Sequence, residues 1–421
     1  MTASAPVLVP ALPGPEAQRR VLRVLVAAQV LSGAGLAAGV TVGALLAQEM
    51  FGSTSLAGLP SAVGTAGSAL AAVVVGRVSQ ARGRRPGLAG GYLAGAVGSA
   101  GVIAAAVAGN AVLLMVALFV YGAGTATNLL ARYAGADLAA PSRRARAVST
   151  VLVATTLGGV VGPNLAAPTG ALADTLGIPY LAGPFLLASA AYGIAALVLT
   201  VWLRPDPLLL ARALEVPDVP HAVPPRAGVR AGLLVGVLVM ALTQVVMVAI
   251  MTMTPVHMHG HGHGAAASGL VIALHIGAMY LPSPLTGWLV DRYGRLTVAA
   301  ASGVVLLAAG VVAASASAGS VAGFAVALVL LGVGWNLGVV SGTAIVTDAV
   351  PLATRARTQG LVDVCIAVAG AGGGMVSGLV VAGVGYPALA LGGGLLALVI
   401  VPAVLAARKR SPGAHGRGSS R

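Results

Sequence analysis

The residues most able to do chemistry in this chain are methionines and histidines gathered in one stretch. Of the ten methionines in 421 residues, six lie between Met240 and Met279, and five of the seven histidines lie between His257 and His275. Thioether sulfur and neutral imidazole nitrogen are soft to borderline ligands that suit copper, Cu(I) above all, whereas hard ions need carboxylate and carbonyl oxygens. The stretch therefore predicts a path for a soft metal ion.

Two pairs in this stretch have helical spacing. Met247 and Met251 are four residues apart, as are His275 and Met279, and residues so spaced project from one face of a helix. Both pairs lie in apolar segments that contain no acidic residue. Met247 and His275 fall at comparable depth, about 10 to 15 Å from the outer end at roughly 1.5 Å per residue. The four residues are therefore candidates to share one ion.

Further candidate ligands lie in the connection between these two segments. Thr254 begins a run in which histidine alternates with other residues, and histidine-rich tracts bind metals. We predict a metal-collecting outer loop here, and the alternatives for a loop of this composition are buffering of protons and binding of adventitious metal. Its candidate ligands are His257, Met258, His259, His261 and His263.

The elements that must position these residues lie mostly in lipid. Hydrophobic residues make up 58% of the chain and charged residues only 8%, against about a quarter in ordinary globular proteins, so a water-soluble surface is excluded. Apolar runs of about 20 residues match the thickness of a bilayer. We predict twelve transmembrane helices near residues 21–46, 56–79, 87–108, 111–138, 148–173, 179–203, 231–255, 265–289, 296–317, 320–348, 359–383 and 386–407.

The net charge of +14 does not indicate nucleic acid, because the basic residues follow every second apolar run. Arg82 to Arg85, Arg143 to Arg146 and Arg408 to Arg410 are examples, and the intervening loops contain no Lys or Arg. By the positive-inside rule the basic loops face the cytoplasm. We therefore expect both termini in the cytoplasm of a multi-pass protein of the cell membrane.

An internal repeat divides the chain. At a shift of about 211 residues, Gly76, Gly83 and Arg84 correspond to Gly287, Gly294 and Arg295, and repeats at this scale reveal the architecture. Two halves of six spans each have the same orientation, which is the parallel repeat found in transporters. We predict an N-terminal six-helix bundle at 1–203, a proline-rich cytoplasmic linker at 204–230, and a C-terminal six-helix bundle at 231–421.

The loop between spans eight and nine resembles the signature G-x-x-x-D-R-x-G-R of the major facilitator superfamily, and the resemblance covers essentially the whole chain. The matching residues are Gly287, Asp291, Arg292, Gly294 and Arg295. The resemblance implies an all-α membrane fold in which this loop holds neighbouring helices on the cytoplasmic side and helps switch between outward and inward states. The first-half copy has Gln80 where the family has Asp, so the resemblance does not carry a carboxylate switch to that position.

The two ligand pairs sharpen the resemblance. MxxxM in helix seven and HxxxM in helix eight, here Met247, Met251, His275 and Met279, are similar to the CcoA-like copper transporter branch of this superfamily. That branch implies copper uptake across the cytoplasmic membrane for cytochrome oxidase assembly, although some of its relatives carry riboflavin. Gly162-Pro163 in span five is similar to the family's antiporter motif, which leaves export open.

Two ionisable residues lie inside apolar spans, Arg132 in span four and Asp363 in span eleven. Such residues are functional hypotheses by default. Arg132 has Asp137 and Asp363 as candidate partners, and a gate or proton coupling are the candidate roles. Asn128 and Trp335 are among the polar residues expected to line a central cavity.

These observations predict a transporter and not an enzyme. Copper is the transported ligand, no prosthetic group is implied, and the partners are the bilayer and the ion, with a monomer expected. The first alternative is a transporter of a small organic molecule, riboflavin or a drug, whose apolar cavity the methionines merely line. The second is a membrane sensor or metallochaperone partner that binds metal without transporting it, a role that does not need two repeated halves with gating loops.

Overall fold

Helices form almost all of the structure, as expected of a chain whose backbone polar groups must be satisfied inside lipid. The structure, a computed structural model, describes residues 14–51, 59–214 and 226–409. In this part of the chain the helices are α1 (Gly14–Phe51), α2 (Leu59–Arg82), α3 (Arg84–Val107), α4 (Ala111–Ala136), α5 (Arg144–Asn164), α6 (Ala166–Thr175), α7 (Gly183–Trp202), α8 (Pro207–Ala213), α9 (Arg226–Gly260), α10 (Ala265–Tyr280), α11 (Ser283–Tyr293), α12 (Arg295–Ser315), α13 (Val321–Ala349), α14 (Arg355–Val384), α15 (Tyr386–Ala397) and α16 (Ile400–Lys409).

The sequence prediction of an all-α membrane fold is confirmed. Ten stretches of the described residues are long and apolar enough to cross a membrane, judged by length and composition. The predicted spans 21–46 and 148–173 correspond to α1 and to α5 with α6, which are not among those ten. The count of twelve transmembrane helices therefore stays a prediction.

Prolines divide predicted spans that the sequence pattern treats as continuous. Pro282 separates α10 from α11, and the predicted span 265–289 is two helices at this point. A proline removes one backbone hydrogen bond and its ring clashes with the preceding turn, so a break of this kind is expected. The opposite happens at Pro255, which lies inside α9, so that helix continues to Gly260 beyond the predicted end at 255.

The repeat reappears in local structure. α4 begins at Asn110 and α13 begins at Ser320, and each side chain accepts a hydrogen bond from the backbone three residues on. The turns from α2 to α3 and from α11 to α12 both pass through a glycine with positive φ, 97° at Gly83 and 93° at Gly294. Other residues rarely adopt this conformation, which explains why both copies of the motif have glycine there.

The two halves differ in which core their helices build. One buried cluster draws mainly on α1, α3, α4 and α7. A second draws mainly on α9, α12, α13 and α15, and it also takes in Ala136, Ala145, Val148 and Leu152 from the N-terminal half. α1 to α7 lie within the predicted N-terminal bundle 1–203, and the short α8 lies in the predicted linker 204–230. α9 begins at Arg226, a few residues before the predicted boundary at 231. Residues 215–225 of the linker are outside the described residues.

Candidate functional site

A cavity of about 590 Å³ lies between the two halves. Its walls come from α2, α4, α9 and α14, with Ser68, Thr125, Gln244, Met251 and Asp363 among the lining residues. A larger cavity of about 1060 Å³ lies among arginines at helix ends, near α1, α5, α8 and the start of α14, and none of the predicted metal ligands lines it. The cavity between the halves is therefore the candidate transport site, because alternating access works around a site at that interface.

The predicted ligand His275 is fully buried on α10. Its Nδ1 lies 2.8 Å from the carbonyl oxygen of Leu328 on α13. A carbonyl only accepts hydrogen bonds, so Nδ1 carries the proton and Nε2 of the neutral ring presents a lone pair. Nε2 is buried and has no hydrogen-bond partner among the described residues. This is the arrangement that orients a metal-binding histidine, with one ring nitrogen held by a carbonyl and the other free.

α13 provides a common scale for the depths of the two ligand pairs. On one side it contacts α9, where Trp335 donates to Gln244 at 2.8 Å and Gly342 lies against Met240. On the other side it contacts α10, where Asn336 donates to the carbonyl of Met279 at 2.7 Å. Counting along α9 and α13 in opposite directions places Met247 about level with Met279 and Met251 about level with His275. The pairs thus lie at similar depth, but Met247 is level with Met279 and not with His275, the residue that the sequence spacing places at its depth.

The ligand pairs differ in what surrounds them. Met247 and Met279 belong to the same buried apolar cluster, against which Met251 packs. Met251 also lines the cavity between the halves, whereas Met247, His275 and Met279 are not among its lining residues. Three of the predicted ligands therefore lie inside the C-terminal half, and Met251 lies at the boundary between them and the cavity.

The predicted outer loop is partly helical, which corrects the sequence interpretation. His257, Met258 and His259 form the end of α9, because that helix continues through Pro255. Met258 is fully buried in the C-terminal core, so its sulfur faces apolar side chains. The His257 ring stacks on Tyr386, with ring centroids 4.5 Å apart.

The remaining histidines of this segment include two that are exposed. His259 and His261 are exposed, and the Nδ1 of His261 lies 2.8 Å from the carbonyl of His257. His263 is half-buried, with Nε2 2.8 Å from the carbonyl of Ala318. Within the described ranges no three His, Cys, Asp or Glu residues form a group that could hold a metal ion. Metal collection by this segment stays a prediction.

The arginines gather at one end of the helices, which we call the basic end. Two equivalent groups of residues at this end, here called clamps, connect the two halves. The first clamp consists of Gln80, Arg84 and Asp137 from the N-terminal half. Gln80 accepts hydrogen bonds from the backbone of Ala356 and Arg357 at 2.8 and 3.4 Å, which caps the start of α14. Its amide also donates to the carbonyls of Ala353 and Leu352 at 2.6 and 3.3 Å.

The charged part of the first clamp is buried. Arg84 forms an ion pair with Asp137, Nε to Oδ2 at 2.7 Å, and both side chains are at most 1% exposed. Arg84 also donates to Gln359 of α14 at 2.5 Å. Gly76, the other glycine of this motif copy, lies where a Cβ atom would be 2.9 Å from the carbonyl of Ala356, so the motif glycine allows α2 to approach α14.

The second clamp consists of Asp291, Arg295 and Asp348 from the C-terminal half. Asp291 accepts hydrogen bonds from the backbone of Ala145 and Arg146, both at 3.2 Å, which caps the start of α5. Arg295 pairs with Asp348 and donates to the carbonyl of Pro141 at 2.8 Å, and Asp348 also pairs with Arg144. Each clamp therefore connects one half to the other.

The two remaining predicted gating residues have different surroundings. Gly287 lies against α5, where a Cβ atom would be 2.9 Å from Cα of Arg146. Arg292 is exposed on the last turn of α11. The gating role of these positions stays a prediction.

Arg132 pairs with Asp363, and Asp137 pairs instead with Arg84. Arg132 Nη2 lies 2.6 Å from Oδ1 of Asp363, and Nε donates to Thr343 of α13 at 3.1 Å. Tyr133 donates to the same carboxylate at 3.2 Å. Arg132 and Tyr133 belong to α4, while Asp363 belongs to α14. This ion pair is therefore a further connection between the halves.

Sequence reasoning missed several polar residues of these networks. In the sequence, Gln80 stands out only as a departure from the family pattern, and Gln359 and Tyr133 do not stand out. A signal for Gln359 was available, because it begins a predicted apolar span, where glutamine is costly unless its amide is satisfied. A buried network in the N-terminal half was also missed, apart from Asn128. It joins Gln29, Ser32, Tyr92, Asn128 and Thr155.

Comparison with known proteins agrees with this architecture. The family model described as Major Facilitator Superfamily matches residues 25–335 and 264–421. The chain belongs to the major facilitator superfamily. Two uncharacterized MFS-type transporters of Bacillus subtilis (strain 168) are similar: YdeG is 54% identical over 398 residues, 93% of each chain. YddS is 51% identical over 394 residues, 92% of this chain and 90% of the relative.

A third relative of this MFS transporter is named for its substrate. The riboflavin transporter RfnT of Brucella anthropi is 31% identical over 355 residues, 82% of this chain and 85% of the relative. The crystal structure of the human organic anion transporter MFSD10 has the same fold, with a TM-score of 0.72, 17% identity, and coverage of 92% of this chain and 99% of that one. The chain is thus a multi-pass membrane transporter and not an enzyme.

Proposed function

We propose that this MFS transporter carries copper, as Cu(I), inward across the cytoplasmic membrane. The observation that carries the proposal is His275, whose Nε2 is buried and has no partner among the described residues while Nδ1 is held by the Leu328 carbonyl. Leaving a polar atom buried and unpaired costs about 1 to 3 kcal/mol, so a bound ion would relieve that cost. Met279 follows one helical turn later on α10.

The donor set supports a soft monovalent ion. Met247 and Met279 lie in one buried cluster with Met251 packed against it, and imidazole and thioether ligands carry no charge. A Cu(I) ion on such ligands leaves a single positive charge within the membrane, which is less costly than the charge of a divalent ion. The chemistry of these residues therefore favours Cu(I) over hard or divalent ions.

The proposed path begins at the outer end of α9 and enters the cavity between the halves. His259 and His261 collect the ion at the outer end of α9, and Met251 receives it at the cavity wall. The ion then binds Met247, His275 and Met279, and rocking of the halves releases it at the basic end, which we place in the cytoplasm. Because the ion exchanges between similar soft ligands, its binding free energy changes little at each step.

The test is uptake of Cu(I) into proteoliposomes that contain a trapped Cu(I) chelator, with ascorbate outside. We expect His275→Ala and the double variant Met247→Leu/Met251→Leu to lose uptake by about tenfold or more, by analogy with the effect of perturbing a metal site. The matched control is Met240→Leu, because Met240 is buried on the same helix but packs in a different cluster. Equal uptake by the wild type and His275→Ala would reject the site.

The cavity between the halves favours a second candidate function, the transport of a small organic molecule. Its volume of about 590 Å³ falls in the range of pockets that bind small organic molecules, and hydroxyl and amide groups line it beside apolar ones. The similarity to a riboflavin transporter agrees with this candidate. The same proteoliposomes, assayed with riboflavin, decide between the two candidate functions. Riboflavin uptake without Cu(I) uptake would mean that the methionines only fill space in the apolar core.

A further inference from the structure

We infer that the larger cavity, at the basic end, is a binding site for a phosphate group, and that a bound phosphate holds this end closed. A free phosphate ion or the headgroup of an anionic lipid can supply that group. The inference concerns a second site, apart from the cavity between the halves, and does not depend on which substrate is carried. Three observations support it: the charge of the lining, a buried arginine without a carboxylate partner, and lining residues from both halves.

The lining of this cavity is strongly basic. Among the described residues it contains one carboxylate, Asp137, which already pairs with Arg84. It also contains five arginines, which are Arg19, Arg143, Arg144, Arg146 and Arg355. A guanidinium group binds phosphate through two parallel N–H donors, and basic pockets between membrane helices bind the phosphate headgroups of lipids. The charge of the lining therefore selects an anion and favours a phosphate group.

Arg355 is the most deeply buried arginine of this lining. It is 6% exposed, and within the described part of the chain its side chain makes no ion pair and one hydrogen bond, from Nε to the carbonyl of Val350 at 3.3 Å. In the same lining, Nε of Arg144 is buried and has no hydrogen-bond partner among the described residues. A buried charge is costly unless it is paired and hydrogen-bonded. An anion in the cavity would supply both the charge and the missing acceptors.

The internal repeat explains why Arg355 lacks a carboxylate partner. At the shift of about 211 residues, Arg355 corresponds to Arg144, and Asp348 corresponds to Asp137. Asp348 pairs with Arg144 at 2.5 Å. Asp137 pairs with Arg84 and forms no ion pair with Arg355. The pairing is therefore made in one copy and not in the other, and the second copy leaves its positive charge at the cavity.

The lining combines residues of both halves. Leu352 and Arg355 belong to the C-terminal half, whereas Arg143 and Arg144 belong to the N-terminal half. Arg355 and Arg144 repel each other electrostatically, so closing the basic end brings like charges together. An anion between them offsets this repulsion. Because opening separates the two sets of arginines, the complete site exists only in the closed state, and a ligand that binds one state shifts the population toward it.

The experiment measures closure directly and needs no transported substrate, so its failure is distinguishable from failure of the copper test. Spin labels are placed at Arg82→Cys and Tyr293→Cys, two exposed positions in opposite halves at the basic end, in full-length protein with Cys365→Ala. One arm adds sodium phosphate to the protein in detergent, with sodium chloride at equal ionic strength as the reference. The other arm compares nanodiscs of phosphatidylcholine, which has no net charge, with nanodiscs that also contain phosphatidic acid.

We expect phosphate in at least one arm to raise the ratio of closed to open molecules, by about tenfold at ten times its Kd. A response to free phosphate assigns the ion as ligand, and a response to phosphatidic acid alone assigns a lipid headgroup. Arg355→Gln should lose the response, and Arg143→Gln, at an exposed lining position, should reduce it. Arg230→Gln is the matched control, because it removes an exposed arginine that does not line the cavity.

Three results would overturn the inference. The first is a wild-type distance that neither probe changes. The second is an equal response in the wild type, Arg355→Gln and Arg143→Gln, which would indicate a general effect of anions. The third concerns Glu215 and Asp218, which follow the lining residue Leu214 in the sequence but lie outside the described residues. If Glu215→Gln/Asp218→Asn opens the basic end without phosphate, carboxylates of the chain itself occupy the site.

Discussion

The first and second clamps occupy equivalent positions in the two halves but distribute charge differently. In the first clamp the helix cap, Gln80, is neutral, and the ion pair of Arg84 with Asp137 is buried. In the second clamp the cap, Asp291, is charged, and the pair of Arg295 with Asp348 is about 30% exposed. The comparison teaches that the repeat preserves where the halves are connected and not how.

The difference follows from what each cap must satisfy. Gln80 faces both free N–H groups and free carbonyls, at Ala356 and at Ala353, and an amide supplies an acceptor and a donor together. Asp291 faces the N–H groups of Ala145 and Arg146, for which a carboxylate that only accepts is sufficient. The departure from the family signature at Gln80 therefore preserves capping while it removes a charge.

The largest expected effect is a difference in stability between variants of the two ion pairs. Asp137→Asn leaves Arg84 charged and buried without its partner, and breaking a buried pair in this way costs about 3 to 5 kcal/mol. Asp348→Asn breaks two partly exposed pairs, with Arg295 and with Arg144, each worth about 0.2 to 1 kcal/mol. We expect the unfolding temperature in detergent to fall further for Asp137→Asn than for Asp348→Asn. Equal shifts would show that burial does not distinguish the clamps.

A smaller effect should follow from widening the contact between α2 and α14 beside the first clamp. A Cβ atom at Gly360 would lie 2.4 Å from the carbonyl of Ala72, so Gly360→Leu forces the two helices apart. Overpacking of this kind costs about 1 to 3 kcal/mol. We expect the distance between spin labels at Arg82→Cys and Thr354→Cys, two exposed positions in opposite halves at the basic end, to lengthen.

The same variant also tests whether the halves move as rigid bodies. Labels at Ser142→Cys and Tyr293→Cys report on the second clamp, and rigid rocking should lengthen that distance too. Gly372→Leu is the matched control on α14, because a Cβ atom there meets no atom within 4 Å. Lengthening in the control as well would mean that bulk in α14, and not its contact with α2, opens the basic end.

The smallest effect should come from exchanging the caps. Gln80→Glu keeps the acceptor for Ala356 but replaces the donor that faces the Ala353 carbonyl, which costs about 1 to 3 kcal/mol against a gain of roughly 0.3 to 1 from a negative charge at the start of α14. The net cost of about 0 to 2.7 kcal/mol should shift the ratio of open to closed basic end toward opening by up to about a hundredfold. Asp291→Asn keeps its acceptor and should change this ratio less. Tighter closure in Gln80→Glu would contradict the role given to the amide.

The sequence alone was sufficient for much of the fold. Apolar runs and the spacing of arginines predict a membrane helix bundle, and the shift between Gly83 and Gly294 predicts two related halves. These signals succeed because lipid imposes a strong and local constraint on each segment. The spacing of His275 and Met279 likewise identified a candidate site, because four residues make about one turn in any helix.

Tertiary structure alone decided which of these residues meet. Arg132 pairs with Asp363, which is 231 positions away in the other half, and not with Asp137, which is only five positions away. The extension of α9 through Pro255 and the placement of Met251 on the cavity wall were also absent from the pattern. The physical reason is that a segment's periodicity reports only which side of a helix is apolar. The partner of a buried polar group depends on packing between segments that the sequence keeps far apart.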